Sequence, residues 1–188
     1  LTGNDGGIVP MIFDSKGRLW VGRNGKGVMC HDMRTGRNTL VSGLEGNQNI
    51  VRSITEDRQH NIWLGTEKGI VIVHPDMSHD NVYQDFRDRN LINDNAIYSI
   101  LCDKADNMWI GTFLNGLLCY NTRSHALRRY KMSNGLNSDA VFYLARQRNG
   151  TLWVATTHGL YSYDKRTDRF NALQGPWGGD SFMYTLCV

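Results

Sequence analysis

With 188 residues, 40% of them apolar and 10% aromatic, the chain can bury a core and is too apolar for a disordered segment. Its 21 basic and 18 acidic residues are scattered along the chain, and a formal charge of +3 spread in this way excludes the concentrated basic face that nucleic acid or an anionic membrane surface requires. No apolar run approaches the roughly 18 residues that span a bilayer, so direct membrane insertion by this segment is not expected. The chain opens at Leu1 without a charged and then apolar leader, which reads as a mature or excised segment.

The first predicted element, residues 8–13, alternates like a half-buried strand. A turn at Ser15-Lys16-Gly17 leads into a second strand with the phrase Leu19-Trp20-Val21-Gly22. A loop ending in Gly27 precedes a third strand over 28–31, and the Asp32 to Gly36 turn, where an Asx side chain can bond the backbone, precedes a fourth over 38–41. The connector at 43–47 then returns the chain to a new inner strand. The same succession follows three more times, with strands expected over 51–56, around Trp63, 70–73 and 83–86; over 97–102, around Trp109, 117–120 and 127–130; and over 141–146, around Trp153, 160–163 and 169–173. Residues 181–187 read as one further inner strand.

Spacings of 43, 46 and 44 residues between these tryptophans, with four short strands per unit, are those of propeller blades. The expected fold class is therefore all-β: four four-stranded antiparallel blades near 8–42, 50–88, 96–131 and 140–174, then the start of a fifth at 180–188, all within one propeller segment over 1–188. Four blades close only in a tight ring, so an arc of a larger propeller is the favoured arrangement. Each tryptophan is expected to fill the space between two sheets, and Gly22, Gly65 and Gly111, two residues on, to leave room for the neighbouring blade. Ala155 takes that place in the fourth unit.

The runs from Ile100 through Asp103 and Trp109 to Thr112, from Asn115 to Asn121, and from Gly135 to Val141 resemble the two-component regulator propeller repeat. The likeness extends over nearly the whole chain, with departures at Arg23 (for Thr), Gln147 (for Asp) and Ala155 (for Gly), and with no turn glycine in the second unit. The resemblance implies a periplasmic sensor region of a hybrid two-component histidine kinase of the Bacteroides type, usually two seven-bladed propellers, a β-sandwich, a membrane helix and a kinase. It further implies a glycan ligand and control of polysaccharide-utilisation genes.

Chemistry of other kinds is sparse. Cys30, Cys102, Cys119 and Cys187 have no Cys-x-x-Cys or Cys/His spacing, so they read as small strand residues, with no metal or cofactor expected. Among six histidines, His60 and His125 fall in turns of the lower face or near an outer strand and His79 in an outer loop. His158 alone falls in an upper-face loop, without an acid fixed beside it. A non-enzymatic sensor segment is the reading these residues favour; a propeller lyase or hydrolase at the channel mouth, or a protein-interaction scaffold, are the alternatives. Topology gathers the loops after the second strands and the connectors at one mouth of the channel. The candidate ligand contacts are thus Arg23, Asn24, Glu67, Lys68, Phe113, Asn115 and His158, with Trp177 and Asp180 from the aberrant last connector. Uncovered faces of the end blades lead to an expected pairing with further blades, with a second propeller of the same protein, or with another copy as a homo-oligomer.

Overall fold

The computed structural model describes residues 9–23, 25–41, 43–44, 46–81 and 96–174. Each tryptophan phrase forms the second strand of a hairpin, and a side chain six residues upstream locks the turn. Asp57 Oδ1 accepts the backbone N–H groups of Gln59 and Asn61 at 2.9 and 2.8 Å, while Oδ2 accepts the Asn61 amide at 2.9 Å and Trp63 Nε1 at 2.8 Å. Asp103 repeats the arrangement with Ala105, Asn107 and Trp109, and Asp14 with Lys16, Arg18 and Trp20. One carboxylate thus closes the hairpin and supplies the acceptor that a buried indole N–H needs. Gln147 has no second oxygen and holds Trp153 Nε1 at 3.3 Å; Asn149 caps its turn instead.

Four such hairpins extend into four antiparallel sheets, each in simple sequential order. Blade 1 comprises β1 (Met11–Phe13), β2 (Arg18–Arg23), β3 (Gly27–Asp32) and β4 (Asn38–Leu40); blade 2 comprises β5 (Val51–Glu56), β6 (Ile62–Thr66), β7 (Gly69–Val73) and β8 (His79–Asn81). Blade 3 comprises β9 (Ile97–Cys102), β10 (Asn107–Thr112), β11 (Leu117–Asn121) and β12 (Leu127–Tyr130), and blade 4 β13 (Val141–Arg146), β14 (Leu152–Thr156), β15 (Gly159–Asp164) and β16 (Arg169–Ala172). The inner strands β1, β5, β9 and β13 pack in succession, as in a propeller arc. One element departs from the expected order. The fourth strand of blade 2 is β8, pairing Val73 with His79 and Val71 with Asn81, so His79 opens a strand rather than lying in an outer loop. The cause is a tight hairpin in which Met77 takes φ +73° and Asp76 accepts the Ser78 N–H. The expected strand 83–86 and the fifth-blade strand 181–187 lie outside the described residues.

Between blades the contacts have one polarity. Trp20 of blade 1 shares a buried cluster with Ile54, Leu64, Val71 and Val73 of blade 2, Trp63 with Ile100, Met108, Ile110 and Leu118 of blade 3, and Trp109 with Leu144, Leu152, Val154 and Tyr161 of blade 4. The connector leucines Leu44 and Leu136 are buried in the same clusters. A buried tryptophan covers about 150–250 Å2, roughly 4–6 kcal/mol of gross driving force at about 25 cal/mol per Å2. The glycines permit this approach. A Cβ on Gly111 would stand 2.9 Å from Val141 Cγ1, and one on Gly65 2.8 Å from Ile97 Cγ2, both on the next blade's inner strand. At Gly22 the near atoms belong to Pro10 of its own blade.

Removing the clamp at Asp103 by alanine leaves buried donors without acceptors, with an expected loss of about 2–4 kcal/mol in chemical denaturation, against about 0.5–1.5 kcal/mol for Gln147→Ala. Equal losses would contradict the clamp. Burial would raise the Asp14 and Asp103 pKa values, but the hydrogen bonds from Trp20 and Arg18, and from Asn107 and Trp109, outweigh it and hold both below the ordinary 3.8. Their stabilisation is therefore complete above that value and is lost as pH falls through the lower folded values. Acid titration followed by circular dichroism should show stability falling below about pH 4, with a shallower fall in Asp103→Asn.

Candidate functional site

The threonines that end the second strands organise the upper face. Thr66, Thr112 and Thr156 are fully buried, and each Oγ1 donates to the carbonyl of the glycine that begins the third-strand segment: Gly69 at 2.9 Å, Gly116 at 2.8 Å and Gly159 at 3.1 Å. The same hydroxyls accept the N–H groups of Lys68, Asn115 and His158. The residue after each threonine bonds back to the connector before the inner strand: Glu67 N–H to Ile50 O, Phe113 N–H to Ala96 O and Thr157 N–H to Ala140 O. Loops and connectors therefore meet at one mouth, on rigid supports. Blade 1 has Arg23 in the threonine position, where it ends β2 opposite Gly27.

Three inner strands are bulged at this mouth. Val51 pairs with Thr66 and Ser53 with Gly65, leaving Arg52 without a partner in the ladder; Tyr98 and Phe142 are skipped in the same way on β9 and β13. A bulge re-aims its extra side chain. Here the three side chains form a row across blades 2 to 4. The Arg52 guanidinium lies 4.7 Å from the Tyr98 ring centre, and Tyr98 meets Phe142 edge-on at 5.0 Å. Phe113 stands 5.8 Å from Tyr98 and 6.1 Å from Phe142, and Glu67 pairs with Arg52. Phe113 is 41% exposed and the adjacent Leu114 62%, whereas Phe142 is buried beneath. The result is an accessible aromatic platform edged by one neutralised ion pair, suited to stacking the apolar face of a ring while the charged pair meets its hydroxyls.

Of the residues expected at the mouth, Glu67 and Phe113 are brought together in this row. Lys68 and His158 are exposed on the same loops, outside it. Asn115 is buried, its side chain held by Arg129. Asn24, Trp177 and Asp180 lie outside the described residues. His158 Nδ1 is 2.8 Å from the Thr157 hydroxyl, and no carboxylate is hydrogen-bonded to it among the described residues, so the orienting acid of a general base is not supplied here. Burial pushes the Cys102 thiol up to about 11 and Cys119 up to about 12, which keeps both protonated and unreactive. Sequence reasoning missed Arg52, Tyr98 and Phe142; their shared signal is position, each being second in its inner strand.

A model of the family described as two component regulator propeller matches residues 44–68 and 91–113. A search of curated proteins finds no significant sequence match. Among solved structures, the extracellular domain of a Bacteroides thetaiotaomicron protein designated a hybrid two-component system superposes with a TM-score of 0.73 at 23% identity, over 90% of this chain and 24% of that one. The extracellular domain of a B. thetaiotaomicron protein designated a one-component system gives 0.74 at 20% identity, over 97% and 24%. PorZ, a surface component of the type-IX secretion system of Porphyromonas gingivalis, gives 0.63 at 19% identity, over 82% and 25%. The chain thus spans about a quarter of the length of these structures, and at such identities the likeness concerns the fold. The four tryptophan hairpins and the matched repeats together make this chain a β-propeller segment that resembles the two component regulator propeller family at residues 44–68 and 91–113.

Proposed function

We propose that the chain is a non-enzymatic, extracytoplasmic sensor segment of a hybrid two-component system, and that its upper face contacts an oligosaccharide whose binding is relayed to a histidine kinase in the same protein. The periplasm is the compartment this reading requires, and control of polysaccharide-utilisation genes is its expected output. The family match supports it, as does the likeness to domains designated extracellular parts of two-component systems. The observation that carries the ligand reading is the row Arg52, Tyr98, Phe142 and Phe113 at the mouth, which offers aromatic faces and hydrogen-bonding groups without a nucleophile or base pair. Calorimetry of the chain with a panel of neutral oligosaccharides should detect binding that Phe113→Ala weakens about tenfold, close to 1.4 kcal/mol. Absence of heat with every oligosaccharide, or unchanged affinity in the variant, would contradict it.

A second surface supports the reading of an arc within a larger propeller of about seven blades. Met11, Val21, Met29 and Leu40 form one row across blade 1. The matching positions are Ile54, Leu64 and Val71 in blade 2, Ile100, Ile110 and Leu118 in blade 3, and Leu144, Val154 and Tyr161 in blade 4, all buried in the clusters that hold the preceding blade's tryptophan. In blade 1, Met11 is 61% exposed and Leu40 49%. The tryptophan face of another blade, from the same protein or a second copy, is the complement this row is shaped for. On its own the chain should sediment as a concentration-dependent oligomer, and Met29→Lys should return it to a monomer. A wild-type monomer at all concentrations would contradict the pairing.

A further inference from the structure

Away from the mouth, a cavity of about 400 Å3 opens between blades 3 and 4, beside the β9–β10 and β11–β12 turns. This is within the size range of small-molecule sites. Trp109 and Tyr130 of blade 3 and Tyr163 of blade 4 form its aromatic walls, with Trp109 ring centres 6.0 Å from Tyr130 and 4.8 Å from Tyr163. Several polar groups in the lining are already committed. Asp103 is filled by its turn and by Trp109, and Asn121 Oδ1 accepts Arg123 N–H, Ser124 N–H and Ser124 Oγ–H while its amide donates to Ala105 O and Asn107.

The remaining groups have a definite polarity. Tyr130 and Tyr163 both donate their hydroxyl protons to Asp168 Oδ1 at 2.6 Å; the Tyr130 oxygen also meets Arg128, and a phenol oxygen with two lone pairs can still accept from a ligand. Arg128 gives Asp168 Oδ2 one N–H at 3.2 Å, also bonds the Tyr130 hydroxyl, and has further N–H groups for a ligand. Lys165, exposed on the rim, has no hydrogen-bond or ion-pair partner among the described residues. The complement of two acceptor hydroxyls, two cations and an aromatic wall is a compact molecule with hydroxyl donors and one negative charge. The corresponding positions at the interface of blades 2 and 3 hold Asp80 for Arg128 and Thr122 for Lys165, so the cationic pair is particular to this interface.

We propose that this cavity binds a small hydroxylated carboxylate of the size of one sugar acid, its carboxylate held by Lys165 and Arg128 and its hydroxyls donating to Tyr130 and Tyr163. Because Asp168 offsets part of the Arg128 charge, Lys165 carries most of the selectivity for an anion. Calorimetric titration of the chain with glucuronate, glucose and acetate tests it. Glucuronate should bind at least tenfold more tightly than either of the others, Lys165→Ala should weaken it about tenfold, and Phe113→Ala at the mouth should leave it unchanged. No binding of glucuronate, equal binding of acetate or glucose, or an undiminished affinity in Lys165→Ala would overturn the proposal. Loss in Phe113→Ala would overturn it as well, by placing the ligand at the mouth. Lys165 is an exposed turn residue, so its replacement leaves the fold intact, which an unchanged melting temperature verifies.

Discussion

The bond between a turn carboxylate and a buried indole is the constraint on which the rest depends. In each of the first three blades one aspartate satisfies two backbone donors at the hairpin and the indole N–H behind it. Without that acceptor, the largest side chain at each interface would carry an unpaid polar group into the core. With it, the ring is fixed edge and face, and the next blade packs upon a rigid surface. Closure of a small hairpin and assembly of the whole arc are consequences of a single contact, repeated.

That repetition gives the segment a direction. The tryptophan face of each blade meets the aliphatic face of the next, and the glycine beside the tryptophan lets the backbones draw together at the inner strands. Rigid packing below frees the upper face to vary. The buried threonines hold the loops from beneath, so Glu67, Phe113 and Thr157 can differ in chemistry while their backbones stay in one place. The bulges do the same for Arg52, Tyr98 and Phe142. A surface assembled in this manner changes by side-chain substitution and leaves the blades untouched.

Much of this was legible in the sequence because the determinants are local and periodic. The inner strands β5, β9 and β13 occupy the residues that alternation assigns to them, and the glycine beside each tryptophan at blades 2 and 3 has the role its spacing suggests. The clamp was not legible, since an aspartate six residues before a tryptophan reads only as a turn residue until the hairpin brings the two together. Nor were the bulges: alternation continues through Arg52, Tyr98 and Phe142, and the slipped register appears only in the pairing with the second strand. The strand at His79–Asn81 was hidden by a turn that puts Met77, a residue without turn preference, in the left-handed region. The inter-blade cavity depends on Arg128 and Lys165, which lie 37 positions apart and meet only through blade packing.

The central claim is that rigid, clamped blades present their ligand surface at the channel mouth. Amide chemical-shift mapping of the chain during titration with a bound neutral oligosaccharide tests it most directly. The account predicts that the largest shifts cluster at Arg52, Glu67, Tyr98, Phe113 and Leu114, with the clamped turns at Asp57 and Asp103 unmoved. Shifts concentrated on the outer strands, or spread through the clamped turns, would contradict it.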